Sequence, residues 1–263
     1  MQRDPEALLR QIEAAERAEH RGQLKIFLGY ASGVGKSFKL FDEGRRRRQR
    51  GEDVVVAAAQ SESAPEVAQV LRGLESIPTQ NVGGVPVIDV PALIARHPQV
   101  CLIDGLAYDN PPGSRHPKRY EDVEELLGAG ISVMTSINLE YIAEQQEFVR
   151  GILGRTPSDT VPQDFIDRAD EVVVVDAPPD AGEGLGTLKL SQLRQRALLL
   201  TADVVDRQLE AYLELHGLQS SWGTQERILV QLLVISKEGC WAFTETALAP
   251  DRRTPLRVVR RRR

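Results

Sequence analysis

Cysteine is scarce. The 263 residues hold two, Cys101 and Cys240, without CxxC or metal-ligand spacing, which argues against a disulfide framework or a zinc centre and agrees with a reducing compartment. Long apolar runs are missing too, since no stretch approaches the ~18 consecutive apolar residues that would span a bilayer. The leading MQRDPEALLRQIEAAERAEH is polar and is no secretory signal. Together these absences predict a cytoplasmic protein with no membrane span. Positive charge is also not in excess: 33 Lys and Arg face 38 Asp and Glu, a net charge of −5. Arg45 to Arg48 and Arg260 to Arg263 make basic runs, but no aromatics interleave them, so they read as solvated faces or tails and no DNA partner is expected. No internal repeat is present.

What remains is a chain 41% apolar and 27% charged, enough for one substantial core and a small appendage. Its most informative segment is LKIFLGYASGVGKS, Leu24 to Ser37. A β-favouring run opens there into a glycine-rich loop closed by Gly-Lys-Ser, the chemistry of a phosphate-binding loop. Gly33, Val34 and Gly35 would let backbone N–H groups close on a polyphosphate. Lys36 would reach the β and γ phosphates, and Ser37 would hold Mg²⁺ at the start of the following helix. The strict pattern wants glycine at position 30, where this chain has Tyr30, with Gly29 one residue early.

Along the chain, DVVVAAA (53–59), VCLI (100–103), ISVMTSI (131–137) and EVVVV (171–175) are short, nearly continuous apolar runs, as expected of parallel strands buried on both faces. Helical patterns separate them: PEVAQVLRGL, YEDVEELLGA and LEYIAEQQEFVRGI. The alternation predicts an α/β fold, a doubly wound, mostly parallel sheet of P-loop type with ligands at the strands' carboxyl ends. Four segments are expected. An N-terminal helix occupies 1–21, with Leu8, Ile12 and Ala15 at helical spacing, and the nucleotide-binding domain occupies 22–180. A Pro/Gly-rich linker and a long helix (190–215) fill 181–220. Residues 221–263 hold two short strands turning at Lys237-Glu238-Gly239 and a basic tail.

A phosphate loop needs an acidic residue at a neighbouring strand end, and VCLID supplies Asp104, the second candidate for magnesium beside Ser37. The next residue, where many hydrolases carry a water-activating glutamate, is Gly105, so slow hydrolysis or none is expected. Glu62, Asp109 and Glu121 are the substitute bases considered. No NKxD-type guanine reader occurs, which favours ATP. Downstream, Arg115, His116, Lys118 and Arg119 gather before a helix. They would contact phosphates or an acidic partner, or else pair with Glu121, Asp122 and Glu124.

GVGKS, Asp104, PGSRHPKRYEDVEELLGAGI (112–131), TSINLEYI and DTVP (159–162) together resemble the N-terminal cytoplasmic domain of the KdpD family, sensor histidine kinases of the Kdp osmosensitive potassium-transport system. The likeness covers residues 22–176 and continues more loosely through 193–214 into WGTQERILV (222–230), which resembles the opening of a universal-stress-protein-like domain. It implies an ATP–Mg²⁺ site at Gly33, Gly35, Lys36, Ser37 and Asp104. Tyr30, Gly105, Tyr108 and the QSESA segment (60–64) depart from the family's pattern where the chemistry would lie. The four histidines, His20, His97, His116 and His216, lack a phosphoacceptor context, so histidine kinase activity is not expected of this chain. Three readings follow: a regulatory ATP-binding input module that signals to a separate kinase portion or another Kdp component, a slow P-loop ATPase, or an interaction module in which Tyr30 crowds the loop and nucleotide no longer binds. Self-association through the C-terminal tail is a further expectation.

Overall fold

The computed structural model describes residues 20–60, 64–176, 186–215, 234–236 and 239–241. The predicted N-terminal helix, Glu62, most of the 177–187 linker and most of the tail lie outside them.

Six strands form one parallel sheet. β1 (Leu24–Gly29), β2 (Val54–Ala58), β3 (Glu75–Ser76), β6 (Val100–Ile103), β7 (Ser132–Asn138) and β8 (Glu171–Val175) are ordered β3-β2-β6-β7-β1-β8. The fold class is thus the predicted α/β arrangement. The reason lies in the apolar runs: β2 and β6 are buried at every position, so each must be covered on both faces. The glycine-rich segment follows β1, which lies between β7 and β8.

α1 (Lys36–Gln49) leads from β1 to β2 and α2 (Pro65–Leu71) from β2 to β3. Right-handed crossovers place these two on one face. α3 (Val90–Arg96), α4 (Arg119–Gly128), α5 (Gln146–Leu153) and α6 (Gln163–Asp167) fall in connections that run the opposite way along the sheet, and so cover the other face. The chain therefore leaves β1 and β7 in opposite directions, which opens a crevice between their carboxyl ends. Leu40 and Phe41 of α1 and Val123, Leu126 and Leu127 of α4 are buried in the common core, each contributing about 1.5–3 kcal/mol by leaving water.

Some elements carry no clear sequence signal. β3 is two residues long at the sheet edge, and a small antiparallel ribbon, β4 (Gln80–Val82) with β5 (Val85–Val87), stands apart from the sheet. A very short outer strand offers little template for unwanted pairing.

α7 (Thr187–Leu215) begins three residues earlier than expected. One compact unit reaches as far as Leu209. Within it, Leu190, Leu193, Ala197, Leu200 and Val204 of α7 are buried, a 3-4-3-4 spacing that makes one apolar stripe. In the second unit, β9 (Val234–Ser236) pairs antiparallel with β10 (Gly239–Trp241). Of the predicted turn, Lys237 and Glu238 lie outside the described residues.

The arginine run at 45–48 is largely neutralised by its own helix and the next turn. Arg45 and Arg46 pair with Asp42, and Arg47 pairs with Glu43 and Glu52, while Arg48 donates to the Gly73 carbonyl. A run with its charge answered locally is a poor landing site for a polyanion.

Candidate nucleotide site

The loop between β1 and α1 turns on glycines held in the left-handed region, Gly33 at φ 79° and the N-cap Gly35 at φ 87°. Side chains resist that conformation, so glycine there is a backbone requirement. The first turn of α1 carries no acidic residue, while Arg46, Arg47 and Arg48 sit in its last turn. Both features suit a helix whose positive end faces an anion.

Lys36 is the first residue of α1, and its chain folds back over β1. A Cβ on Gly29 would sit 2.5 Å from Lys36 Cδ and 2.9 Å from its Nζ. Nζ donates to the Ala31 carbonyl at 3.4 Å. Burial pushes the Lys36 ammonium below the usual lysine range, against the opposing pull of the carboxylates of Asp104 and Glu140. A cation short of solvation and short of strong partners is suited to receive a phosphate.

Asp104 follows β6 directly and is 1% exposed. Its Oδ1 accepts from Ser136 Oγ at 2.5 Å, and Oδ2 is buried without a protein partner. Ser136 also accepts from the Gly105 N–H at 3.1 Å. One hydroxyl on β7 thus fixes the carboxylate and leaves one oxygen over, as a metal-binding carboxylate held by an outer residue requires. The residues fit a magnesium ion carried in with a nucleotide: the Ser37 hydroxyl and Asp104 Oδ2 are hard oxygen ligands, and few protein ligands are needed because that ion keeps several waters.

A cavity of about 840 Å³ opens over Lys36, Ser37 and Ser136, with Asp104 behind its lining rather than in it. Ser32, Gly33, Gly35, Lys36 and Ser37 form one wall. The ends of β2, β6 and β7 form others, through Gln60, Gly105 to Tyr108, and Ser136 to Asn138. Tyr141 and Asp159 close the far side. A parallel bridge between Ile142 and Val161 holds their segments together, with Val161 N donating to the Tyr141 carbonyl at 2.8 Å. TSINLEYI and DTVP, far apart in sequence, therefore meet at one site.

The four basic residues of the 113–119 segment are absent from the cavity lining among the described residues. Arg115 chelates Glu125 at 2.5 and 2.6 Å, His116 Nδ1 lies 2.8 Å from Asp122 Oδ1, and Lys118 donates to Asp109 at 2.6 Å. Asp122, which also accepts from Asn110, is nearly inaccessible, and burial raises its carboxyl above the usual range despite those bonds. Of the partners expected from the sequence only Asp122 takes a side chain of this block: Arg115 and Lys118 pair with Glu125 and Asp109 instead, Glu121 accepts the Lys118 backbone N–H, and Glu124 pairs with Arg168.

Arg119 differs from its neighbours. It is buried, donates to the carbonyls of Asp104 at 3.2 Å and Gly105 at 2.8 Å, and stacks 4.3 Å from the Tyr108 ring centroid. It holds the backbone of the Asp104–Gly105 turn. The family-like basic block thus reaches the site from beneath.

Tyr30 does not crowd the loop. Its ring is buried away from the cavity lining and its hydroxyl donates to Asp176 Oδ1 at 3.3 Å. Of the substitute bases, Asp109 is held by Lys118, and Glu121 Oε2 accepts from the Lys118 N–H at the start of α4. Carboxylates that do face the cavity are Glu66 and Asp159. Sequence reasoning missed both, and also Asn138 and Ser136, because none carries a motif by itself.

Among the described residues, no helix is long and apolar enough to cross a membrane, and no group of three or more His, Cys, Asp and Glu is arranged to hold a metal ion on its own.

The family profile described as "KdpD: Osmosensitive K+ channel His kinase sensor domain" matches residues 20–183, the span that contains the sheet, the loop and the cavity. Sensor protein KdpD of Escherichia coli (strain K12) is 38% identical over 251 residues, covering 86% of this chain and 28% of that protein. Sensor protein KdpD of Mycobacterium tuberculosis (strain ATCC 25618 / H37Rv) is 37% identical over 234 residues, covering 80% and 27%. That of Clostridium acetobutylicum is 35% identical over 181 residues, covering 67% and 20%. The chain thus spans little more than a quarter of the length of the first two relatives. With the profile covering more than half of its residues, the chain belongs to the KdpD sensor-domain family.

Proposed function

We propose that this chain is a cytoplasmic, ATP–Mg²⁺-binding regulatory input module of a KdpD-type two-component system that responds to potassium or osmotic conditions, and that it passes its occupancy to a sensor-kinase portion. The observation that carries the reading is one cavity lined by a desolvated Lys36 with Gly33, Gly35 and Ser37 of the loop, and by Gly105 and Ser136, which hold beneath that lining a buried Asp104 with one oxygen unengaged. In this reading the loop N–H groups and Lys36 bind the phosphates, while Ser37 and Asp104 hold the magnesium that neutralises them.

A slow ATPase is the second reading. It draws on Glu66 and Asp159, which line the cavity and could orient water. Position 105, at the end of β6, holds glycine rather than glutamate, so binding without appreciable turnover is favoured. An interaction module that no longer binds nucleotide is the third reading, and the Tyr30 hydroxyl's bond to Asp176 weighs against the crowding it invokes.

Titration with a fluorescent ATP analogue in the presence of magnesium tests the proposal. Saturable binding by the wild type, weakened in Lys36→Ala and Ser37→Ala with unchanged far-UV spectra, is the expected result. Equal affinity in all three proteins would show that nucleotide does not use this loop.

A further inference from the structure

Resting on the nucleotide reading above, we propose that Asn138 reads the terminal phosphate and makes the site prefer a nucleoside triphosphate to a diphosphate. Asn138 ends β7, directly opposite Gly29 in the parallel register. Its side chain lines the cavity although the residue is only 8% exposed. Oδ1 is buried with no partner, and Nδ2 has two long contacts, 3.4 Å to Ser32 Oγ and 3.4 Å to Glu140 Oε1.

A carboxamide carries two donors and two acceptor lone pairs, and a buried one left this poorly engaged costs free energy unless a ligand completes it. The ligand's position follows from Gly29. Asn138 Oδ1 and Lys36 Nζ each lie 2.9 Å from the point a Gly29 Cβ would occupy. The amide and the loop cation therefore share one small space. An anion drawn to Lys36 meets Asn138 there, and a half-turn of the amide about its terminal bond brings Nδ2 into that space to donate to a phosphate oxygen, while Oδ1 turns to the Ser32 hydroxyl.

The terminal phosphate, rather than an inner one, is selected by the strand. Ser136 and Asn138 are two residues apart on β7 and share a face, and Ser136 holds Asp104. The amide thus stands on the metal side of the loop, where Lys36 addresses the outer phosphates. With a diphosphate bound, the amide keeps only its present contacts.

Calorimetric titration of the full chain with ATP and with ADP, both with magnesium, tests this. Asn138→Ala is expected to lose about tenfold or more in ATP affinity, the worth of a hydrogen bond to a charged group, with ADP affinity unchanged. The retained ADP binding also shows that the variant is folded. Asn138→Asp keeps the shape but repels the outer phosphate, so its ATP-to-ADP affinity ratio should fall at least as far. Equal losses for both nucleotides, or an unchanged ratio in both variants, would overturn the assignment and leave Asn138 as a strap for the loop. If wild type bound neither nucleotide, or Lys36→Ala bound both like wild type, the nucleotide reading itself would fail, an outcome distinct from a changed role for Asn138.

Discussion

Gly29 and Lys36 are packed so closely that the lysine chain occupies the space where a Gly29 side chain would begin, 2.5 Å from Cδ to the would-be Cβ. Glycine therefore stands one position ahead of the strict motif because the lysine runs back across the end of β1. Gly29→Ala should leave the sheet intact, since the flexible lysine can move aside, and should cost less than about 1.5 kcal/mol in denaturant unfolding, within the ordinary range for a point substitution. Its ATP affinity should fall nearly as far as that of Lys36→Ala. Wild-type affinity in Gly29→Ala would show that the observed path of Lys36 is not the binding one.

On the proposed reading, the depressed Lys36 should make nucleotide binding sensitive to alkali. In the folded protein its pKa lies below the ordinary lysine value because burial disfavours the ammonium, and a polyphosphate favours the ammonium again. Binding should then take up a proton as the pH approaches the lowered pKa, and affinity should decline as the pH rises through it. Calorimetry in buffers of different ionisation heat measures that uptake directly. It should vanish in Lys36→Arg, whose guanidinium stays charged throughout.

Gly105 adopts φ +81°, and a Cβ there would meet the Tyr108 ring at 3.1 Å. The missing catalytic glutamate is thus a matter of backbone as well as of chemistry. Gly105→Glu should therefore destabilise the protein, by roughly 1–2 kcal/mol for the left-handed conformation alone, rather than create an ATPase. Thermal unfolding and phosphate release on one preparation check both halves. A vigorous wild-type ATPase abolished by Glu66→Gln or Asp159→Asn would instead support the hydrolytic reading.

Asp176 ties α7 to the end of β8. Arg194 Nε donates to both its oxygens at 2.9 Å, and this pairing holds the Asp176 carboxyl below the usual aspartate range. With a folded pKa depressed below the unfolded one, the contribution is complete above the unfolded value and is lost as pH falls through the folded value. Both groups are about half exposed, so the pair is worth less than about 1 kcal/mol after solvent screening. Amide protection factors in the part of α7 up to Leu209, corrected for the intrinsic exchange rate at each pH, should fall on acidification, and Arg194→Ala should abolish that dependence.

The repeating unit of the fold was legible in the chain because a strand covered on both faces must be apolar throughout. VCLI coincides with β6 residue for residue and is buried throughout; EVVVV coincides with β8, but that strand lies at the sheet edge and is fully buried only at Val175, so there the apolar run overstates the covering. β3, the β4-β5 ribbon and α3 left no comparable pattern, since an exposed two-residue strand buries too little to shape its composition and a seven-residue helix with two fully buried side chains, Val90 and Leu93, is too short to show a period.

Candidate ligands were visible where one motif carries the whole chemistry. Gly33, Gly35, Lys36 and Ser37 are contiguous, and contiguity is what a sequence displays. Asp104 was found because a carboxylate after a buried strand is itself a pattern. Ser136, Asn138, Glu66 and Asp159 act only through what stands opposite them, and strand order decides that. β7 lies between β6 and β1 although β6 and β1 are far apart in the chain, so Ser136 reaches Asp104 while Asn138 reaches the loop. The basic segment shows the same division. Its charges were plain from composition, but only packing separates Arg119, buried against the Asp104 and Gly105 carbonyls, from Arg115, paired outside with Glu125. Local composition determined the strands, the loop and the sheet edge at which a ligand would bind. Which side chains answer one another across that edge was settled by tertiary structure, because it depends on distances between residues that the chain's order does not constrain.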